Sequence, residues 1–181
     1  HREVLSGHAG GVRRPTISPA AYRRITLLAL SLLGIIVVTG AGVRLTGSGL
    51  GCSTWPSCEP GTLVPRDESG VHGVIESTNR YFTGLVSVGV ILAVAGSFFR
   101  IPRRRDLTLW SWTLVAGVIG QIVLGGLTVL FELSPPFVMA HFLVSAVLVG
   151  CAVVLHHRAG EPDVGERRPV ATPEIRLLAK V

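Results

Sequence analysis

The sequence predicts an all-α membrane protein, a bundle of four transmembrane helices. Hydrophobic residues make up 48% of the chain and charged residues only 15%, and a mean hydropathy of +0.54 is too high for an ordinary soluble domain. Four stretches are nearly free of charge, and at ~1.5 Å per residue each is long enough to cross a hydrocarbon core of about 30 Å. The net charge of +6 comes from arginines that lie between these stretches. They indicate topology, and no nucleic-acid module is predicted.

The apolar stretches define the expected domain organisation. The four helices are predicted at residues 25–43, 72–99, 107–131 and 136–156. Residues 1–21 contain prolines and lack helical periodicity, so they are predicted to be a flexible cytoplasmic tail ahead of a transmembrane domain at 22–157. Residues 44–70 are expected to form an outer loop, and residues 158–181 a cytoplasmic linker. Because the chain starts without Met and stops as a new apolar pattern begins, we expect it to be a fragment.

Arginine placement predicts the orientation of the helices. Arginines precede the first helix, follow the second and follow the fourth, whereas the connection between the third and fourth carries only Glu132. By the positive-inside rule both ends of the chain are cytoplasmic and the loop 44–70 faces outward. Sixteen of the 17 basic residues are arginine, with Lys180 the exception, a bias typical of a GC-rich bacterial genome. The predicted location is therefore a bacterial plasma membrane.

The second helix opens with a polar stretch that interrupts this apolar pattern. His72, Glu76, Asn79, Arg80 and Thr83 follow one another at helical spacing and share one face. An ionisable residue in a membrane helix costs roughly 2.5 to 3.5 kcal/mol even on a lenient scale, so it indicates function by default. The alternative is an internal ion pair between Glu76 and Arg80 at the water interface.

Two cysteines lie in the predicted outer loop. Cys52 and Cys58 flank Trp55 and Pro56, and a disulfide is possible if the turn brings their Cα atoms within about 7 Å. The spacing of the two cysteines allows a disulfide but does not establish one. Zinc binding remains a weaker alternative, because a structural zinc site normally takes four ligands.

The fourth helix adds a histidine at a similar depth. His141 lies in its outer half, and with His72, Glu76 and Asn79 it places polar groups of two helices near one level. A lone His is more often a packing residue, but haem iron commonly takes an axial His and bundles build cofactor sites from facing helices. Gln121 of the third helix is expected either to bond across helices or to contact the cofactor. The glycines that remove bulk from this helix are Gly117, Gly120, Gly125 and Gly126.

Four motifs together resemble the haem A synthase family. They are Val-Arg-Leu-Thr-Gly-Ser-Gly-Leu-Gly-Cys-Ser-Thr-Trp-Pro-Ser-Cys at 43–58, His-Gly-Val-Ile-Glu-Ser-Thr-Asn-Arg at 72–80, Gln-Ile-Val-Leu-Gly-Gly-Leu-Thr-Val at 121–129, and the run from Pro136 to His141. Their order and spacing match as well, and the similarity covers about residues 22–156. Members of this family have eight transmembrane helices in two similar halves, and this chain resembles the amino-terminal half.

The resemblance implies an oxidoreductase of the cytoplasmic or mitochondrial inner membrane. The family oxidises a methyl group of haem O to the formyl group of haem A for cytochrome oxidase. The implied partners are the lipid bilayer, haem O, haem O synthase and cytochrome oxidase. It also implies a disulfide between Cys52 and Cys58, participation of Glu76 in catalysis or substrate handling, and an axial haem ligand at His141. Arg80 is expected to pair with a haem propionate or with Glu76.

One position departs from the family pattern. Many members have His in the Glu-x-x-His-Arg motif of the second helix, where this sequence has Asn79. Asn is a poor iron ligand, and His72 lies about 10 Å along the helix, too far to replace it. The hypothesis is that this half holds substrate haem with His141 as its sole strong ligand, while a second half carries haem b.

Two other functional classes are open. The first is a non-catalytic haem-binding or assembly factor that works as a homo-oligomer. The second is a membrane thiol-disulfide protein in which Cys52 and Cys58 are redox-active. The first predicts bound haem without conversion, and the second predicts an easily reduced cysteine pair with no dependence on His141.

Overall fold

The structure is a computed structural model that describes residues 15–52, 54–58 and 70–163. Within these ranges the helices are α1 (Pro19–Leu45), α2 (Gly70–Phe99), α3 (Arg105–Leu130) and α4 (Pro135–Ala159). All four are long and apolar enough to cross a membrane. The predicted all-α, four-helix membrane architecture is confirmed.

The first helix begins earlier than the sequence pattern predicts. The side chain of Ser18 accepts a hydrogen bond from the Ala21 N–H at 3.2 Å, and Pro19 supplies the first turn. Residues 19–21, assigned to the tail, are therefore helical. Just before them, Ile17 exchanges backbone hydrogen bonds with Phe99 and Ile101. The outer loop likewise starts only after Leu45. Residues 1–14 of the predicted tail, 59–69 of the loop and 164–181 of the linker lie outside the described residues.

The helices form a ring in chain order. Each helix packs on its two neighbours, α1 on α2 and α4, and α3 on α2 and α4, while the backbones of the diagonal helices do not approach each other. Successive helices run antiparallel. We call the end that carries the Cys52–Cys58 loop and the starts of α2 and α4 the disulfide end, and the opposite end, which carries Arg100 and Arg104, the arginine end.

The half of the bundle nearer the arginine end is filled by side chains. Tyr22 is fully buried, and its hydroxyl hydrogen-bonds the hydroxyl of Ser111 at 2.9 Å, which spans the diagonal from α1 to α3. Gly96 leaves room for the Tyr22 ring, because a Cβ there would lie 3.1 Å from it. The buried residues packed around this link include Val90, Ala93, Leu107, Leu114, Ala152 and Leu155.

Ion pairs close the arginine end. Arg100 is only 1% exposed and pairs with Asp163 at 2.6 Å. Arg104 bonds Asp106 at 2.8 Å and Glu161 at 3.3 Å. The hydrogen bonds that Arg104 donates to the Asp106 carboxylate raise the pKa of Arg104 above its ordinary value, so this guanidinium stays charged. These pairs tie the connection between α2 and α3 to the segment that follows α4.

The turn between α3 and α4 contains two residues in the left-handed region. Glu132 has φ 49° and Leu133 has φ 59°, a conformation that non-glycine residues rarely adopt. The Leu133 N–H donates to the Thr128 carbonyl at 2.8 Å and ends α3. Its side chain packs on Gly49, where a Cβ would lie 3.0 Å away. The turn therefore contacts the segment after α1 at the disulfide end.

Candidate functional site

The half of the bundle nearer the disulfide end encloses a cavity of about 680 Å³. All four helices and Trp55 line it. Glycines open this space, since Gly40, Gly84 and Gly125 place no side chains where the cavity lies. The volume is within the range typical of small-molecule and cofactor sites, and most of the lining is apolar. The charged, amide and imidazole side chains that line it are Arg44, Glu76, Asn79, Arg80, Gln121 and His141.

His141 borders the cavity from α4. Its ring lies over Gly125 of α3, where a Cβ would be 3.6 Å from Cε1. Nδ1 of His141 is buried and has no hydrogen-bond partner among the residues that the structure describes. A buried imidazole nitrogen without a partner is costly in an apolar setting, and it suits a ring that binds an iron or accepts a ligand contact. This histidine therefore fits the predicted haem ligand.

Gln121 connects α3 to the helix that carries His141. Its Nε2 donates to the His141 carbonyl at 3.0 Å and to the Ser145 hydroxyl. Its Oε1 is buried and unpartnered within the described part of the chain. The hydrogen bond across helices, one of the two predicted alternatives, is present, and the side chain also lines the cavity.

Asn79 lines the cavity from α2. Its Oδ1 accepts a hydrogen bond from the Thr39 hydroxyl at 2.8 Å, and Gly40 lies close to the same oxygen. The amide is therefore anchored to α1. An amide oxygen that already accepts a hydrogen bond is not a strong iron ligand. Among the described residues that line the cavity, His141 is therefore the one strong candidate ligand for iron.

Glu76 and Arg80 form an ion pair one helical turn apart. Oε2 of Glu76 also accepts the Cys52 N–H at 2.9 Å. Arg80 Nη1 donates to the carbonyls of Thr54 and Ser57, each at 2.9 Å. The internal ion pair considered in the sequence analysis is therefore present. The guanidinium is thus engaged by one carboxylate and by loop carbonyls, and it also lines the cavity.

The loop held by this ion pair covers the cavity at the disulfide end. Cys52 and Cys58 form a disulfide with Cα atoms 4.4 Å apart, and both are 1% exposed. The Trp55 ring lies on Gly126, where a Cβ would be 2.9 Å from Cε2. Gly51 approaches the backbone of His72 so closely that no Cβ could be accommodated. Glycines in two elements thus allow the loop to sit directly on the bundle.

The structure does not bring His72 to the cavity. It lies near the start of α2, is exposed, and its Nδ1 hydrogen-bonds the Ser48 hydroxyl at 2.8 Å. Of the polar residues on this face of α2, His72 is the one that does not line the cavity, because the shared helical face continues past the mouth of the cavity. Cys52 and Cys58 are bonded to each other, so neither thiol is available to the zinc site that was the alternative.

Three residues of the site have no role assigned from the sequence: Arg44, Trp55 and Thr39. Arg44 lies four residues after Gly40 on the cavity face of α1, a spacing that could have revealed it, but it was counted as the first residue of the loop. Trp55 could not be placed without the fold of the loop. Thr39 looks like any small polar residue of an apolar helix.

The fold and this cavity define a multi-pass helical membrane protein with one half of its bundle built around a ligand-sized space. A family model described as "Cytochrome oxidase assembly protein" matches residues 23–181. The chain belongs to this family.

Curated relatives agree with the resemblance seen in the motifs. The chain is 32% identical over 122 residues to the haem A synthase of Alkalihalophilus pseudofirmus, which is 67% of this chain and 40% of that protein. It is 34% identical over 128 residues to that of Shouchella clausii, 70% of this chain and 42% of the relative. The chain thus spans about two fifths of the length of these relatives. No solved structure matches it.

Proposed function

We propose that this chain is the haem O-binding half of a haem A synthase, an oxidoreductase that converts a methyl group of haem O to the formyl group of haem A. The observation that carries the proposal is His141, whose unpartnered Nδ1 is buried at the wall of a ligand-sized cavity. The relatives named haem A synthase support the reaction. In this proposal haem O is the substrate and supplies its own iron.

His141 is the proposed axial ligand of the substrate iron. Gln121 holds the carbonyl of this residue and so fixes the turn of α4 that presents the imidazole. Asn79 remains bonded to Thr39 and borders the ring without ligating it. The second haem of the enzyme, a haem b that passes electrons, is proposed for the other half of the protein.

Glu76 is the proposed proton-handling group. It is the sole carboxylate on the cavity wall among the described residues, and oxidation of a methyl group releases protons that a positioned side chain can accept. Arg80 and the Cys52 N–H fix the carboxylate on both oxygens. Glu76 is thus positioned at the wall by the same contacts that hold the loop.

The proposed setting is a bacterial plasma membrane with the disulfide end outside. The arginines at the opposite end support this orientation through the positive-inside rule. Haem O synthase would supply the substrate and cytochrome oxidase would receive the product. Buried sulfurs weigh against the thiol-disulfide alternative, because redox-active cysteines are partly exposed.

Pigment extraction tests the proposal. The complete gene and the 181-residue segment are expressed in cells that make haem O, and haems from the purified proteins are separated by chromatography and identified by mass. We expect haem A from the complete gene, its loss in His141→Ala, and its retention in His72→Ala, the matched control outside the cavity.

Each outcome identifies one of the alternatives. Full haem A production by His141→Ala overturns the ligand assignment. Bound haem O without haem A in every sample supports the non-catalytic assembly factor. Haem A from the segment means that four helices suffice, as a homo-oligomer. Absence of haem from both proteins favours the thiol-disulfide class.

A further inference from the structure

Two arginines line the cavity, and their surroundings differ. Arg80 is bonded to Glu76 and to loop carbonyls. Arg44 lines the same cavity but makes no hydrogen bond or ion pair with any described residue. We propose that Arg44 binds a carboxylate of the ligand at the disulfide end of the cavity. The proposal rests on the proposed function, because haem is the carboxylate-bearing ligand in question.

Arg44 lies on the cavity face of α1, near the end of that helix, and is exposed. Leu33, Val37 and Gly40 line the cavity from the same helix, and Arg44 continues this stripe one turn after Gly40. It lies next to Leu45, the last residue of α1. Its side chain therefore begins on the cavity face at the level where the bundle meets water.

Among the described residues, the charges around the cavity leave Arg44 without a counter-ion. Glu76 is the one acid on the wall within the described ranges, and it is already paired with Arg80. A guanidinium matches a carboxylate in fork geometry, and such a charge-assisted pair is stronger than a neutral hydrogen bond. An acidic group of the ligand would therefore give Arg44 the partner that no described residue provides.

This contact fixes the orientation of a haem bound in the cavity. Both propionates of a haem lie on one edge of the ring. If that edge binds Arg44, it faces the disulfide end, and the opposite edge faces the apolar interior toward Leu33 and Leu148. The sequence left Arg80 to pair either with a propionate or with Glu76. The structure pairs it with Glu76, and the present assignment gives the propionate to Arg44.

A porphyrin titration tests the role of Arg44. The 181-residue chain in lipid nanodiscs is titrated with iron-free protoporphyrin IX and with its dimethyl ester, and binding is followed by porphyrin fluorescence. Without iron, the signal is independent of ligation by His141. We expect the unchanged chain to bind the diacid about tenfold more tightly than the ester, as one charge-assisted hydrogen bond allows.

Substitutions then assign the preference to one side chain. Arg44→Gln should bind both probes about equally, at the affinity that the unchanged chain has for the ester, and Arg44→Lys should keep part of the preference. Arg24→Gln is the matched control, since Arg24 is an exposed arginine at the other end of α1. It should keep the full preference.

The failure of this inference is distinguishable from failure of the proposed function. Retention of the diacid preference by Arg44→Gln overturns the inference while leaving haem binding intact. An equal loss of affinity for both probes in Arg44→Gln also overturns the inference. That result would indicate a structural role for Arg44, such as pairing with the C-terminal dipole of α1. If the unchanged chain binds neither probe, both the inference and the proposed function are wrong.

Discussion

The backbone N–H of Cys52 donates a hydrogen bond to Oε2 of Glu76 at 2.9 Å, across 24 positions of sequence. The carboxylate on the cavity wall is therefore also an anchor of the disulfide loop. Arg80 completes the arrangement by bonding Glu76 and the loop carbonyls together. A loss of activity in a Glu76 variant consequently needs a separate measurement of loop structure before a chemical role is assigned.

Glu76→Gln should destabilise the protein and loosen the loop. The change leaves Arg80 with an unpaired charge in a mostly buried position, and breaking such a pair typically costs about 3 kcal/mol. We expect a lower Tm in detergent and faster reduction of the Cys52–Cys58 disulfide by dithiothreitol. Both are measured on the purified chain.

A double-variant cycle provides the control for this prediction. The variant that also carries Arg80→Met removes both charges and should recover part of the lost stability. If Glu76→Gln leaves Tm and the reduction rate unchanged, the carboxylate does not anchor the loop.

Gly126→Ala should displace Trp55 from the bundle. An added Cβ would lie 2.9 Å from the Trp55 ring, closer than any normal contact, and overpacking of this kind costs about 1 to 3 kcal/mol. We expect a lower Tm and a change in tryptophan emission as the ring moves. Gly120→Ala, on the same helix with open space around it, is the control and should leave the emission unchanged. Identical spectra for the two variants would mean that Trp55 does not rest on α3.

Glu132→Gly should stabilise the turn between α3 and α4. Glu132 has φ 49°, and glycine removes a left-handed strain of roughly 1 kcal/mol. Thermal unfolding should show a higher Tm. Gly47 has φ +68°. Gly47→Ala should therefore lower the Tm, because alanine is strained in this left-handed conformation. A lower Tm for Glu132→Gly would show that its side chain contributes more than the strain costs.

Asp163→Asn should open the arginine end. Arg100 is 1% exposed and loses its ionic partner, which should cost about 3 kcal/mol. Hydrogen exchange at the ends of α2 and α4 should become faster, and the Tm should fall. Glu132→Gln, at an exposed acid at the opposite end of the bundle, serves as the control. Equal protection in both variants would mean that this ion pair is not a structural clamp.

The helices were predictable because charge and hydropathy alone define a membrane span. The start of α1 was not, since Arg23 and Arg24 looked like the boundary of the span. Long arginine side chains reach water from within a helix, so the helix continues back to the Ser18 cap. Composition thus predicts that a helix is present, whereas the residue at which the helix begins depends on a local capping hydrogen bond.

The sequence predicted which helix face carries the site residues. It did not predict where the cavity ends along that face or which groups those residues bond. Helical spacing correctly grouped Glu76, Asn79 and Arg80, all of which line the cavity. The same spacing included His72, because periodicity says nothing of where the cavity ends. The spacing also offered the ion pair of Arg80 with Glu76. The other partners of Arg80 are backbone carbonyls of the loop, and no side-chain pattern encodes those.

The Tyr22–Ser111 hydrogen bond has a consequence for the membrane as an electrical barrier. A protein that is hollow from one surface to the other would let ions leak across the membrane. Here the hollow stops midway, and tight apolar packing fills the bundle from Val90 to the arginine end. A bulky ligand can therefore occupy the half nearer the disulfide end while the packed half keeps the bundle closed at the arginine end.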